Sequence, residues 1–174
     1  GCFRNAGQIC TATERVLVHK SVHDRFVEGL VKAARQVRMG DPFDPSTNMG
    51  PLNNAVAMSK MQSHMDDAAA RKAEVLTGGK VASGLPTNLY FEPTVVTGLT
   101  PDSLLNQEES FGPVAPVLTF DTGEEALQPA PTSRYGLSAA VFTHTTQRAF
   151  FSIQLLRVGT PYGKQTGCHR ARTA

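Results

Sequence analysis

The sequence predicts an α/β domain, a mostly parallel sheet flanked by helices, and three observations carry that expectation. Short β-type apolar runs alternate along the chain with stretches whose apolar residues recur at helical spacing. Connections such as "GDPFDPSTNMGPL" are dense in Gly, Pro, Asp and Asn, the residues of turns. The length of 174 residues, 40% hydrophobic and 18% charged, allows a real core and does not fit disorder.

The elements run in this order. After an opening loop, "RVLVHKSV" reads as a short strand. Ser21 then starts a helix, with Asp24 three residues on as its capping-box partner. Val22, Phe26, Leu30, Ala34 and Val37 form the apolar stripe, widened by Val27 and Val31, and Gly40 and Pro42 end it. A second helix is expected from Asn54 to Ala73, with Met58, Met61, Met65 and Ala68 on one face as core filling. "EVLTGG" is a strand closed by a glycine turn. In "YFEPTVVTGL", Pro93 argues for an edge or interrupted strand. "GPVAPVLTF" suits a buried strand, and Pro129 and Pro131 interrupt the stretch after it. "LSAAVFT" is expected to be the next buried strand, and "TTQRAFFSIQLLR" a helix capped by Thr145 or Thr146. We expect one domain over residues 1–160 and an irregular tail over residues 161–174, with no internal repeat.

Charge and composition exclude several function classes. The net charge is +2, with no Lys/Arg run of five, so a nucleic-acid footprint is missing. The terminal "HRARTA" reads as a loose tail. No stretch approaches the roughly 18 apolar residues of a membrane span, and no signal peptide opens the chain. Starting at "GCFRNAG" without a methionine, the chain is expected to be a fragment or a processed piece. Cys2, Cys10 and Cys168 form neither a disulfide framework nor a zinc-type pair, which predicts a reducing compartment, cytoplasmic or organellar.

Two stretches carry candidate chemistry. Cys10 lies in the polar loop "FRNAGQICTATER", not in an apolar run where structural cysteines sit. A cysteine attacks as thiolate, and an exposed polar loop with glycine for close backbone approach suits that task. The second stretch is "NQEESFGPV", where Glu108 and Glu109 precede an aromatic, a glycine, a proline and a strand. Adjacent strand residues face opposite ways, so the two carboxylates are not an acid/base couple; one can face a ligand while the other faces solvent or an ion pair. The five histidines are dispersed without ligand spacing, and no Gly-rich phosphate loop or Ser/His/Asp set is evident. No metal site is expected.

Together the two stretches are distinctive. "FRNAGQICTATER" resembles the cysteine signature of the aldehyde dehydrogenase superfamily, and "EESFGPV" resembles that family's Glu-Glu-x-Phe-Gly-Pro-Val segment, about a hundred residues downstream. "GDPFDPSTNMGPL", "YFEPTVV" and "YGLSAAVFT" match further landmarks of the family in the expected order. The resemblance runs from residue 1 to about residue 160 and implies NAD(P)-dependent oxidation of a small aldehyde to a carboxylic acid. It implies that Cys10 is the nucleophile, forming a thiohemiacetal and then a thioester, with its own backbone N–H as one oxyanion donor. It implies that Glu109 holds the ribose of the nicotinamide half of NAD or NADP and that Phe111 packs against that half. Asn5, Gly7 and Gln8 would shape the cysteine loop, and Arg15 would anchor it. The resemblance implies homo-oligomers for the family, a state not carried over to this fragment, whose tail gives no assignable oligomerisation strand.

The sequence also departs from the family pattern. The general-base glutamate of the Glu-Leu-Gly-Gly-Lys segment, the oxyanion-hole asparagine and the Rossmann-type region have no counterpart in these 174 residues. "VGTPYGKQTGCHRARTA" joins two landmarks with the intervening asparagine-containing segment missing. "ALQPAPTSRYGL" replaces a normally helical stretch that Pro129 and Pro131 would disrupt. The expectation is a catalytic-domain fragment that does not oxidise aldehydes alone. The alternatives are a non-catalytic truncated homologue or pseudogene product that keeps the fold and at most pairs with intact subunits, and a cysteine hydrolase or thioesterase using Cys10 with a histidine.

Overall fold

A computed structural model describes residues 1–127, 134–156 and 158–165. These residues divide into two compact units, Gly1–Asp121 and the described part of Thr122–Ala174, a division the sequence does not suggest.

The first unit opens with a 3₁₀ turn at Arg4–Gly7 and continues through β1 (Val16–His19), α1 (His23–Arg35), α2 (Ala55–Ala70), β2 (Glu74–Thr77), β3 (Thr94–Thr97), α3 (Leu104–Gln107) and β4 (Val114–Phe120). Its sheet has the order β1-β4-β3-β2. The β1–β4 and β3–β4 pairs are parallel, and β2 joins the edge antiparallel to β3. This is the expected mostly parallel α/β arrangement.

Strand side chains alternate between faces, and each face of the two central strands feeds its own core. Val95, Ala115 and Val117 pack with Cys2, Val18, Val27 and Ala34, the buried face of α1. Val96 and Val114 pack with Met61, Met65 and Ala68 of α2, together with Leu105, Phe91, Met49, Leu52 and Ala6. The methionine stripe is therefore core filling, with Met58 at its margin.

Several expectations are corrected. Pro93 does not make β3 an edge: the strand lies between β4 and β2, all four residues are buried, and Pro93 precedes its first residue. A central strand does contain a proline, Pro116 of β4, opposite Val96, where the missing N–H removes one ladder donor. Ser21 does not cap α1. Its backbone N–H donates to His19 Nδ1, and its hydroxyl bonds the same ring nitrogen at 2.8 Å, so the helix begins two residues later, at His23. Phe26 is 42% exposed because the buried stripe of α1 centres on Val27 and Ala34.

In the second unit, α4 (Gly123–Leu127) precedes β5 (Ser138–Thr143), α5 (Thr146–Leu155) and β6 (Thr160–Gln165). β5 and β6 pair in parallel from Ser138↔Thr160 to Thr143↔Gln165. The expected irregular tail thus begins as a strand. The expected burial of β5 is not found; the strand alternates, with Phe142 67% exposed. Thr145 is the N-cap of α5 but makes no side-chain cap bond. Pro129, Pro131, Cys168 and "HRARTA" lie outside the described residues.

Candidate active site

Cys10 is exposed and Cys2 is buried, and the chain between them explains the difference. Asn5, Ala6 and Gly7 occupy consecutive left-handed conformations, with φ of 51°, 54° and 74°. Each non-glycine residue there costs about 1–2 kcal/mol, so the surroundings must hold the turn in place. Ala6 is anchored in the core at 2% exposure. The Asn5 side-chain amide donates to Gln8 O, and the Gln8 amide donates to Asn5 O and Pro51 O while accepting from Asn53 N–H at 2.7 Å. Gln8 thus ties the loop to the "MGPLN" segment before α2. Ala12 N–H closes a turn on Ile9 O at 2.8 Å, with Cys10 at the tip of that turn.

The segment carrying Glu109 and Phe111 is delivered by α3. The first turn of that helix is fixed to α2, because Leu104 N–H donates to Asp67 Oδ2 at 2.8 Å. Burial pushes the Asp67 carboxyl up, but the bonds it accepts from Arg71 Nε and Leu104 N–H together outweigh that and hold it below the usual range. Arg71 in turn pairs with Asp102, one residue before Ser103, the N-cap of α3. After α3 the backbone passes Glu108 and Glu109, both half-buried, and then buried Ser110. Phe111 turns left-handed, with φ of 51°, and stays 38% exposed.

The two stretches meet through backbone. A Cβ placed on Gly7 would lie 2.0 Å from Gly112 O, so only glycine permits this approach. A Cβ on Gly112 would in turn lie 2.1 Å from Met61 Sδ on α2. Glu14 supplies the polar half of the junction. Its carboxylate accepts from Ser110 N–H at 2.9 Å, from Ser110 Oγ at 2.5 Å and from Phe111 N–H at 3.0 Å. The fold therefore brings the cysteine loop (Asn5, Gly7, Gln8, Cys10) together with the segment of Glu109 and Phe111.

Sequence reasoning names Arg15 as the anchor and misses Glu14. Arg15 is half-buried, and burial lowers its pKa. The only local signal for Glu14 is a carboxylate placed between a polar loop and a strand, which is ordinary in itself. His64 is another residue missed, one of five dispersed histidines in the sequence, yet it is 1% exposed. Its Nε2 lies 3.6 Å from Glu108 Oε2, neither ring nitrogen has a hydrogen-bond partner, and burial lowers its pKa.

An exposed thiol on a loop that contacts, through Gly7 and Glu14, a segment bearing a carboxylate and a partly exposed aromatic suits covalent catalysis beside a cofactor. A carboxylate such as that of Glu109 has the chemistry to accept from two ribose hydroxyls, and a partly exposed aromatic such as Phe111 has the chemistry to pack against an apolar ring. Among the described residues no group of three His, Cys, Asp or Glu is arranged to hold a metal ion, and no helix is long and apolar enough to cross a membrane. A groove of about 740 Å³ runs along α1 and β2, lined by Val27, Arg35, Glu74 and Leu76 among others, but by none of Cys10, Glu109 or Phe111.

Comparison with known proteins adds identity to this geometry. The chain is 39% identical over 157 residues to succinate-semialdehyde dehydrogenase [NADP(+)] 2 of Schizosaccharomyces pombe, covering 90% of this chain and 32% of that protein. It is 39% identical over 162 residues to betaine aldehyde dehydrogenase of Brucella ovis, covering 92% of this chain and 33% of that protein. Succinate-semialdehyde dehydrogenase from Burkholderia pseudomallei superposes with a TM-score of 0.90 at 34% identity, covering 99% of this chain and 35% of that one. Betaine aldehyde dehydrogenase from Staphylococcus aureus in complex with NAD+ superposes with a TM-score of 0.87 at 35% identity, covering 99% of this chain and 34% of that one. The chain thus spans about a third of the length of the relatives it matches. The Aldehyde dehydrogenase family profile matches residues 1–170, and on that match, with the relatives and the shared fold, the chain belongs to the aldehyde dehydrogenase family.

Proposed function

We propose that this chain carries the nucleophile and the nicotinamide-end cofactor contacts of an NAD(P)-dependent aldehyde dehydrogenase. One observation carries the reading: the exposed Cys10 turn is joined, through Gly7–Gly112 contact and Glu14, to the segment of Glu109 and Phe111.

Cys10 Sγ, as thiolate, attacks the aldehyde carbon; a carbon–sulfur bond forms and the carbonyl π pair moves to oxygen, giving a thiohemiacetal. The Cys10 backbone N–H donates to that developing oxyanion. NAD or NADP, when bound, supplies the hydride acceptor. Glu109 would hold the ribose of that cofactor and Phe111 would pack against its nicotinamide half. With the C–H bond of the former aldehyde carbon broken, its electron pair leaving as hydride to that acceptor and the oxyanion pair re-forming the carbonyl, the acyl group would stay on Sγ as a thioester. Water adding to that carbonyl would break the carbon–sulfur bond, releasing the carboxylic acid and the thiol.

No counterpart of the general-base segment is present in these 174 residues, so water has no assigned activator, and we propose that this chain alone does not turn over. The names of the relatives make succinate semialdehyde and betaine aldehyde the first probes.

The test is alkylation of Cys10 by iodoacetamide, followed on its peptide by mass spectrometry. Either aldehyde is expected to slow the labelling at least threefold, by reversible thiohemiacetal formation, and C10S is expected to take no label at that position. Labelling of Cys10 that no aldehyde slows would overturn the nucleophile role. NADH production by this chain alone would overturn its inactivity.

A further inference from the structure

The strongest feature that the reaction scheme leaves unused is Glu14. It lies four residues after Cys10 and immediately ahead of Arg15 and β1. Its two carboxylate oxygens serve two consecutive backbone amides and one hydroxyl of the opposing segment, 96 and 97 positions away in sequence. Successive N–H groups at a left-handed residue form a small anion-binding concavity, and here the chain fills that concavity with its own carboxylate. The bonds are charge-assisted, about twice as strong as neutral ones.

The consequence is directional. Phe111 holds a φ of 51° that a bulky residue avoids. Its N–H, bound to Glu14 Oε1 at 3.0 Å, is one tether of that conformation. The buried Ser110 on its N-terminal side is held twice, through N–H and Oγ. On its C-terminal side, Gly112 is packed under Gly7 and against Met61. Glycine contact fixes how closely the two loops approach; the Glu14 contacts fix how the backbone is turned at the partly exposed Phe111.

We propose that Glu14 is the positioning residue that couples the Cys10 loop to Phe111, setting the orientation of the cofactor-side segment relative to the nucleophile. The inference rests on the functional reading above for its purpose, but its test does not.

Amide hydrogen exchange is followed by NMR on the whole chain without aldehyde or cofactor, with Val95 and Val96 of the central strand as reporters of global opening. The isosteric E14Q offers one of the donors an NH₂ group in place of an acceptor. It is expected to speed exchange at Ser110 and Phe111 at least tenfold relative to Val95 and Val96. S110A, which removes one hydrogen bond and no charge, is expected to speed exchange at Phe111 severalfold. The double variant is expected to exchange no faster than E14Q alone, since both changes act on one contact. Exchange at Ser110 and Phe111 that stays within twofold in E14Q, or effects of the two substitutions that multiply, would overturn the coupling. If E14Q does not fold, S110A decides: acceleration at Phe111 supports the coupling, and none overturns it. An unreactive Cys10 would overturn the functional reading and leave this result untouched, so the two failures are separable.

Discussion

The cysteine loop and the Glu109–Phe111 segment solve one problem in different ways. Each carries an exposed side chain, Cys10 or Phe111, beside a well-packed junction. The cysteine loop spends three consecutive left-handed residues, Asn5, Ala6 and Gly7, before the exposed position, and Cys10 itself carries no such φ. The other segment concentrates the same backbone twist on one residue, Phe111, which is also the exposed one. In the first, strain and chemistry are separated by three positions; in the second they coincide. The cysteine loop should therefore tolerate changes at the exposed Cys10 without loss of fold, whereas both segments should be intolerant at the glycines where they meet.

The largest expected effect breaks the meeting point. Gly7→Ala would place a Cβ 2.0 Å from a backbone oxygen at a φ of +74°, and neither backbone can yield cheaply. Urea denaturation should show a loss of about 3 kcal/mol or more, or no folded state. Gly112→Ala meets the flexible end of Met61 instead, so the methionine can move and the cost should be smaller, about 1–3 kcal/mol. Equal losses for the two would show that the backbone contact is not the deciding one.

A smaller effect concerns the floor beneath the second segment. His64 is buried on α2, facing Glu108 from that segment, with Lys60 on its own helix and Glu14 from the cysteine loop within electrostatic reach. Burial, the dominant influence, lowers its folded-state pKa. The unfolded chain then binds more protons than the folded one as pH falls below the ordinary histidine value of about 6.5. Stability from this group is complete above that value and is lost as pH drops toward the lowered pKa, by up to about 1.4 kcal/mol per pH unit. Denaturation midpoints at pH 7.5 and 5.5 should differ less in His64→Gln than in the natural sequence. An unchanged difference would remove His64 from the pH response.

The smallest expected stability effect belongs to Cys10, the proposed nucleophile. Cys10→Ala should shift the unfolding free energy by no more than about 0.5 kcal/mol, because the side chain is exposed at the tip of a turn. A larger loss would mean that the thiol packs within the fold, contrary to its proposed role.

Much of the fold is legible in the sequence because apolar periodicity marks buried faces directly. The stripe of Met61, Met65 and Ala68 and the run of β4 need only the regular spacing of helix and strand. Proline misleads because its penalty depends on which neighbour needs the missing N–H: Pro93 stands just outside a central strand, and Pro116 stands inside one. The start of α1 is not legible because Ser21 bonds the His19 ring, a partner no capping rule anticipates. β6 is not legible because "TPYGKQ" has no apolar alternation and is a strand only through its pairing with β5.

The sequence by itself determined the alternation of strands and helices, the family, and which cysteine stands in a polar loop, since local spacing and residue type carry that information. Tertiary structure alone decided that Gly7 rests on Gly112, that Glu14 ties the two segments, and that His64 is buried against Glu108. Those contacts join residues 44 to 105 positions apart, and nothing local distinguishes a carboxylate that will face solvent from one that will meet two backbone amides.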